Sequence, residues 1–134
     1  MTVFRFLSAF FLLAGLTTPV LAEKQIEFVL PSGNIGCIYT PKGGTDVYQP
    51  VDGGAELSCD RVEPKYARII LGPTGRGKVY RQVGDASCCS AGPVLGYGKI
   101  WKAGPFICQA SSKGLKCQRG KNGFVMSRSR LEVY

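Results

Sequence analysis

The sequence predicts an all-β fold, a small disulfide-stapled antiparallel sandwich or partly open barrel. Three observations carry that reading. Turn residues punctuate the chain at Pro31-Ser32-Gly33, Pro41-Lys42-Gly43-Gly44, Asp52-Gly53-Gly54, Gly72-Pro73-Thr74-Gly75, Gly92-Pro93, Gly104-Pro105 and Asn122-Gly123. The runs between them are short and alternate in polarity with a period of two, as strands with one buried face do. Six cysteines in 134 residues supply the staples. No window as long as an ordinary helix keeps a 3.6-residue period between these breakers.

Residues 1–22 read as a cleaved signal peptide. Arg5 is the one charge of a short n-region, an apolar run follows to Leu21, and Val20 and Ala22 put small residues at the −3 and −1 positions before Glu23. Pro19 and the cleavage pattern argue against a retained span, which needs about 20 apolar residues. The expected product is one small domain, 23–134, in the periplasm or outside the cell, with no transmembrane segment after cleavage. It is expected to be a monomer.

Along that domain, Ile26, Phe28 and Leu30 share one strand face, and Ile35, Cys37 and Tyr39 repeat the pattern. Residues 55–62 admit a short helix at best, although 56–60 also reads as a strand. Residues 67–71, 78–83 and 105–110 are compact β-rich runs. Residues 124–133 read as one strand, with Val125, Ser127, Ser129, Leu131 and Val133 on one face and Phe124, Met126, Arg128 and Arg130 on the other. No repeat, linker or low-complexity tract is evident, so no second domain is expected.

Cys37, Cys59, Cys88, Cys89, Cys108 and Cys117 all follow the cleavage point, and an even count in an exported chain implies three bridges. Ser111, Ser112 and Gly114 mark a turn between Cys108 and Cys117, which favours a bridge across a hairpin. Cys37 and Cys59 lie in candidate strands that can bridge once paired. Cys88 and Cys89 either close a vicinal bond or go to separate partners, and the sequence leaves both open. With no His and no CxxC pair, a structural zinc site is not expected. No cofactor is implied.

Two segments resemble a family of small, exported, functionally uncharacterised bacterial proteins. The first is Phe28-Val-Leu-Pro-Ser-Gly-Asn-Ile-Gly-Cys37, similar to an F-x-x-P-S-G-N-I-x-C opening. The second runs through Tyr97-Gly98, Cys108, Ser111, Gly114-Leu115-x-Cys117 and Gly123-Phe124-x-x-Ser127-Arg128, similar to a C-x-S-x-x-x-G-L-x-C … G-F-x-x-S-R closing. The Cys88-Cys89 doublet departs from the single cysteine the family has near this region. The resemblance implies an exported, disulfide-bonded β-domain and names no catalytic residue. By its chemistry, Pro31-Ser32-Gly33-Asn34 is a tight turn in which Ser and Asn side chains bond nearby amides. Ser127-Arg128 is expected on a terminal strand, with the Arg paired to a carboxylate and its stem covering apolar surface.

Enzyme chemistry is poorly supplied. Gly72-Pro-Thr-Gly-Arg-Gly77-Lys78 fits part of a phosphate-binding loop, but Val79 stands where Ser or Thr is needed and no helix follows. A hairpin turn explains the same glycines. Ser111-Ser-Lys113 has the wrong spacing for a Ser–Lys site. Asp46, Asp52, Glu56, Asp60, Glu63 and Asp85 lie among turn residues, and none is singled out as half of a carboxylate pair. Cys88-Cys89 lacks a CxxC at a helix N-terminus to stabilise a thiolate.

Charge is more informative. The 17 Lys and Arg less Arg5 of the leader leave 16 against 9 Asp and Glu, net +7. After residue 98 the cations Lys99, Lys102, Lys113, Lys116, Arg119, Lys121, Arg128 and Arg130 face only Glu132. Such a field attracts an anionic glycan, a lipid headgroup or an acidic protein, while export removes nucleic acid as the physiological partner. The expected ligand-binding surface is therefore Tyr97, Lys99, Trp101, Lys102, Lys116, Arg119, Lys121, Arg128 and Arg130. The preferred class is an exported, non-enzymatic binding module. A structural envelope protein and a carboxylate-based hydrolase are the other classes, and the same cations also serve plain solubility.

Overall fold

The computed structural model describes residues 15–18 and 24–134. The signal-peptide reading of 1–22 therefore falls largely outside the described residues. The domain is an all-β sandwich of two five-stranded antiparallel sheets, stapled by disulfides. The first sheet is a meander of β1 (Ile26–Val29), β2 (Ile35–Thr40), β3 (Glu56–Arg61), β4 (Ala67–Leu71) and β5 (Lys78–Tyr80) in that order. The second is a meander of β6 (Ile100–Ala103), β7 (Phe106–Ser111), β8 (Gly114–Arg119), β9 (Asn122–Met126) and β10 (Leu131–Val133).

Three expectations need correction. Residues 55–62 form no helix: β3 occupies them, because Leu57 and Cys59 both face the core at strand spacing. Residues 78–83 yield a shorter strand that ends at Tyr80. Residues 124–133 are not one strand. The chain turns at 127–130, where the Ser127 hydroxyl accepts from the amides of Ser129 (3.3 Å) and Arg130 (3.1 Å), and β10 returns along β9. Leu131 thus pairs with Met126, and Val133 with Phe124.

The register also exposes a repeat that the sequence reading missed. Phe28, Cys37, Cys59, Ile69 and Val79 form one cross-strand row of the first sheet. Trp101, Cys108, Cys117, Phe124 and Val133 form the corresponding row of the second. Each meander carries G-x-(I/F)-x-C on its second strand (Gly33–Cys37, Gly104–Cys108) and L-x-C-x-R on its third (Leu57–Arg61, Leu115–Arg119). Both leading glycines have positive φ, 71° and 51°, which turns the chain into the strand at no Cβ penalty. Cys37–Cys59 and Cys108–Cys117 bridge directly paired residues at equivalent places. Differing spacing hides the repeat: those cysteines are 22 apart in the first half and 9 in the second.

Contacts between the halves are reciprocal, as a two-fold arrangement requires. The equivalent Phe28 and Trp101 rings meet at 4.7 Å. Buried Arg61 reaches across to the 127–130 turn, donating to the carbonyls of Ser127 (3.1 Å) and Arg128 (3.3 Å). Its counterpart Arg119 reaches the β4–β5 turn, donating to the carbonyls of Gly72 and, at 2.7 Å, Gly75. Between the sheets, Phe28, Phe106, Phe124, Leu57, Ile69, Leu71, Leu115 and Met126 are fully buried, each worth about 1.5–3 kcal/mol of transfer free energy. The sulfurs of Cys37, Cys59 and Cys117 lie within 4.8 Å of one another because the two bridges stack. As disulfides they bring no thiolate to a metal.

Candidate functional site

Two clefts stand outside this core. The first, of about 730 Å³, lies at one end of the sandwich. Four turns build it: β1–β2, β3–β4, β7–β8 and β9–β10, joined by Tyr97 from the segment between the halves. Asn34 ties two of them together, its side chain accepting from the Glu63 amide (2.7 Å) and donating to the Glu63 carbonyl (3.1 Å). The Ser32 hydroxyl accepts from the Asn34 amide at 3.2 Å, as the sequence led us to expect of this turn. Arg61 holds the 127–130 turn from below and also donates twice to the Lys65 carbonyl. Burial, then the nearby Arg81 and Arg128, push its pKa down.

Polar and cationic side chains stand in the lining beside apolar Leu30, Ile35 and Val62. Ser32, Ser111, Ser112, Ser127 and Ser129 bring hydroxyls, Tyr97 a half-exposed ring, and Lys113, Arg128 and Arg130 positive charge. Glu63 is the one carboxylate among the lining residues. Arg130 pairs with Glu132 at 2.5 Å, which pushes its pKa up through that hydrogen bond. Arg128 and Lys113 are exposed and join no ion pair among the described residues.

The predicted surface is thus partly assembled and partly dispersed. Tyr97, Arg128 and Arg130 meet at this cleft. Arg128 stands in a turn, not on a strand, and finds no carboxylate there. Trp101 turns inward and packs on Phe28 and the core, since its β6 position pairs with core-facing Cys108. Arg119 is the inter-sheet clamp just described. Lys102 and Lys116 lie on the outer face of the second sheet, with the Lys116 ammonium 5.8 Å from the Tyr134 ring centroid. Lys99 is exposed beside β6, and Lys121 occupies the β8–β9 turn at the opposite end. Lys113 was expected only as one of the late cations, and Asn34 and the five serines were missed as a set. The signal available was that all lie in or beside turns at the same end of the two meanders.

The second cleft, of about 490 Å³, lies on the outer face of the first sheet. Val47 and Tyr48 of the β2–β3 loop wall one side, and the segment from Asp85 to Ala91 walls the other. Its floor corrects the reading of Glu56 and Asp60 as turn residues: both are on β3, 6% and 7% exposed. Asp60 accepts two hydrogen bonds from Arg68 (2.6 and 2.7 Å) and one from the Tyr66 hydroxyl (2.5 Å). That bonding raises the Arg68 pKa, while burial, then the Asp60 bond, raises that of Tyr66. Glu56 accepts from Tyr48 at 2.6 Å, and burial together with that bond pushes the Tyr48 pKa up to about 12.

Cys88 and Cys89 are bonded to each other, which decides between the two pairings left open. Their sulfurs rest on Gly36, where a Cβ would come within 3.0–3.2 Å of them. Among the described residues no helix is long and apolar enough to cross a membrane. Comparison with family models, curated proteins and solved structures returned no match.

Proposed function

We propose that the protein is an exported, non-enzymatic binding module that holds an anionic, hydroxyl-bearing ligand, an acidic glycan, in the end cleft. The observation that carries this is the convergence of Lys113, Arg128 and Arg130 with five serine hydroxyls and Tyr97, from turns spread over a hundred residues. Guanidinium and ammonium groups recognise carboxylate or sulfate, hydroxyls exchange bonds with sugar hydroxyls, and an exposed ring gives a face to stack on. Part of the residues that carry the family resemblance gather here too, Ser32, Gly33, Asn34, Tyr97, Ser111, Gly114, Ser127 and Arg128, while others, such as Phe28, Cys37, Cys108 and Phe124, are in the core. Export is supported by the leader pattern and by the engagement of all six cysteines in bridges.

Hydrolysis by a carboxylate pair has little to stand on. Glu56 and Asp60 share a strand face four residues apart, about 13 Å at strand rise, against the roughly 5–9.5 Å that glycosidic cleavage uses. Each is also hydrogen-bonded within the fold.

The test is titration with a sulfated or uronic oligosaccharide. A charge-assisted hydrogen bond contributes about 1.5–3 kcal/mol, so Arg128→Ala or Lys113→Ala should weaken binding about tenfold or more. Lys102→Ala and Lys116→Ala, on the open face, should change it little. Equal losses from the two sets would mean that net charge alone drives attachment and would end the cleft reading.

A further inference from the structure

We infer that Cys88–Cys89 is a thiol–disulfide exchange site, open to an external dithiol, whose bond holds one wall of the outer-face cleft in place. The repeat supplies the first argument. Each meander is stapled once, between its second and third strands, and the second half folds with Cys108–Cys117 alone. Cys88–Cys89 lies between the halves, closes no loop of any length, and joins no two strands. A bridge between neighbours removes little freedom from the unfolded chain, so stapling does not account for it.

Access is the second argument. Cys37, Cys59, Cys108 and Cys117 are at most 2% exposed, sealed between the sheets, and a reagent reaches them only when the sandwich opens. Cys88 and Cys89 are partly exposed and line an open cleft. Exchange needs a thiolate to approach a sulfur, so the three bridges differ in kind.

Placement is the third. The segment is held by few bonds: the Cys88 amide donates to the Tyr66 hydroxyl (3.0 Å), and Arg68 donates to the Asp85 carbonyl (3.1 Å). The sulfurs otherwise sit against Gly36, a seat that the absence of a side chain there makes, with the Asp60 carbonyl 3.8 Å from each of them. Separated thiols no longer fit that seat as one unit, and the wall from Asp85 to Ala91 is released from the floor.

The step balances. A thiolate of the dithiol attacks one sulfur and displaces the other cysteine, which takes up a proton. The reagent's second thiolate then attacks the mixed disulfide and releases the second cysteine as a thiol. Two electrons and two protons pass to the protein, and the reagent leaves as a disulfide.

Dithiothreitol on the folded, fully oxidised mature chain tests this, with iodoacetamide trapping and peptide mapping. Cys88 and Cys89 should be labelled at least tenfold faster than the other four. Labelling of all six together, or of a core pair first, overturns the exchange site. After selective reduction, amide exchange should rise across 85–91 while Glu56–Arg61 stays protected; an unchanged Cys88 amide overturns the latch. Gly36→Ala crowds the seat and should speed labelling several-fold. The Cys88→Ala/Cys89→Ala chain should show the same exchange rise with no reductant and an unchanged urea midpoint. A midpoint lowered as far as by loss of a core bridge would make the bond a staple after all.

Discussion

Arg61 offers the sharpest test of how the two halves are held. Its guanidinium is buried at 6% exposure, has no carboxylate partner among the described residues, and donates to the carbonyls of Lys65, Ser127 and Arg128. Arg61→Met keeps an apolar stem and removes every donor. A buried acceptor left without a partner costs about 1–3 kcal/mol. Three carbonyls are involved, but the Arg128 end is exposed and water can reach it. Relief of a desolvated charge also offsets part of the loss. A net destabilisation of about 2–4 kcal/mol follows, a large share of the roughly 5–15 kcal/mol typical of a domain. With a urea slope near 2 kcal/mol/M, the unfolding midpoint should fall by about 1–2 M. Arg119→Met removes the reciprocal clamp at the other end and should act in the same direction, with losses that add in the double variant because the sites share no partner. A change under about 0.5 kcal/mol for Arg61→Met would refute the clamp.

The remaining expectations concern the outer-face cleft and the turns. Tyr48 has its folded pKa raised to about 12 from an ordinary value of 10. Its stabilising contribution is therefore complete below pH ~10 and is lost as the pH rises through about 12; phenolate absorbance should show Tyr48 and Tyr66 titrating late, and Tyr48→Phe should remove one of the two and reduce the alkaline fall in stability. Gly104→Ala should destabilise by about 2–4 kcal/mol in urea unfolding, because a Cβ there meets the Tyr39 hydroxyl at 2.6 Å as well as requiring φ of +51°. Gly33→Ala, at φ +71° with open space around it, should cost only about 1–2 kcal/mol, and equal losses would contradict the packing argument.

The strands were legible because a strand with one buried face writes itself as alternation. Cys37 and Tyr39, Leu57 and Cys59, Ile69 and Leu71 all recur at two-residue spacing, and the strands that carry them pair with their sequence neighbours. The core bridges were legible for the same reason: each joins paired positions. Residues 124–133 failed because a Ser-rich turn, closed by side-chain bonds from Ser127, alternates as a strand does. Trp101 and Lys102 are neighbours in sequence and sit on opposite faces of one strand, so adjacency was no guide to a shared surface. The end cleft escaped because it is made of turns, whose side chains obey no period. Tyr97, Lys113, Arg128 and Arg130 were named for their chemistry or charge, while Asn34 comes to the same place only through the topology.

The repeat turns differences between the halves into evidence. Asp60 pairs with Arg68 across β3 and β4, and the equivalent positions on β8 and β9 hold Gln118 and Gly123. Ser58 on the floor of the first sheet corresponds to exposed Lys116 on the second. One meander therefore presents a bare, solvated outer face, while the other buries charge. A carboxylate under a roof must be bonded, and Asp60 has three donors for that reason. The roof consists of the two segments that the second half lacks: the long β2–β3 loop with Tyr48, and the stretch carrying Cys88–Cys89. Folding a meander of this kind demands neither, since the second half does without both. The partly buried Asp60–Arg68 pair and the glycine at position 36 are thus consequences of covering this face, and the covered face, more than the core beneath it, is where this chain departs from structural necessity.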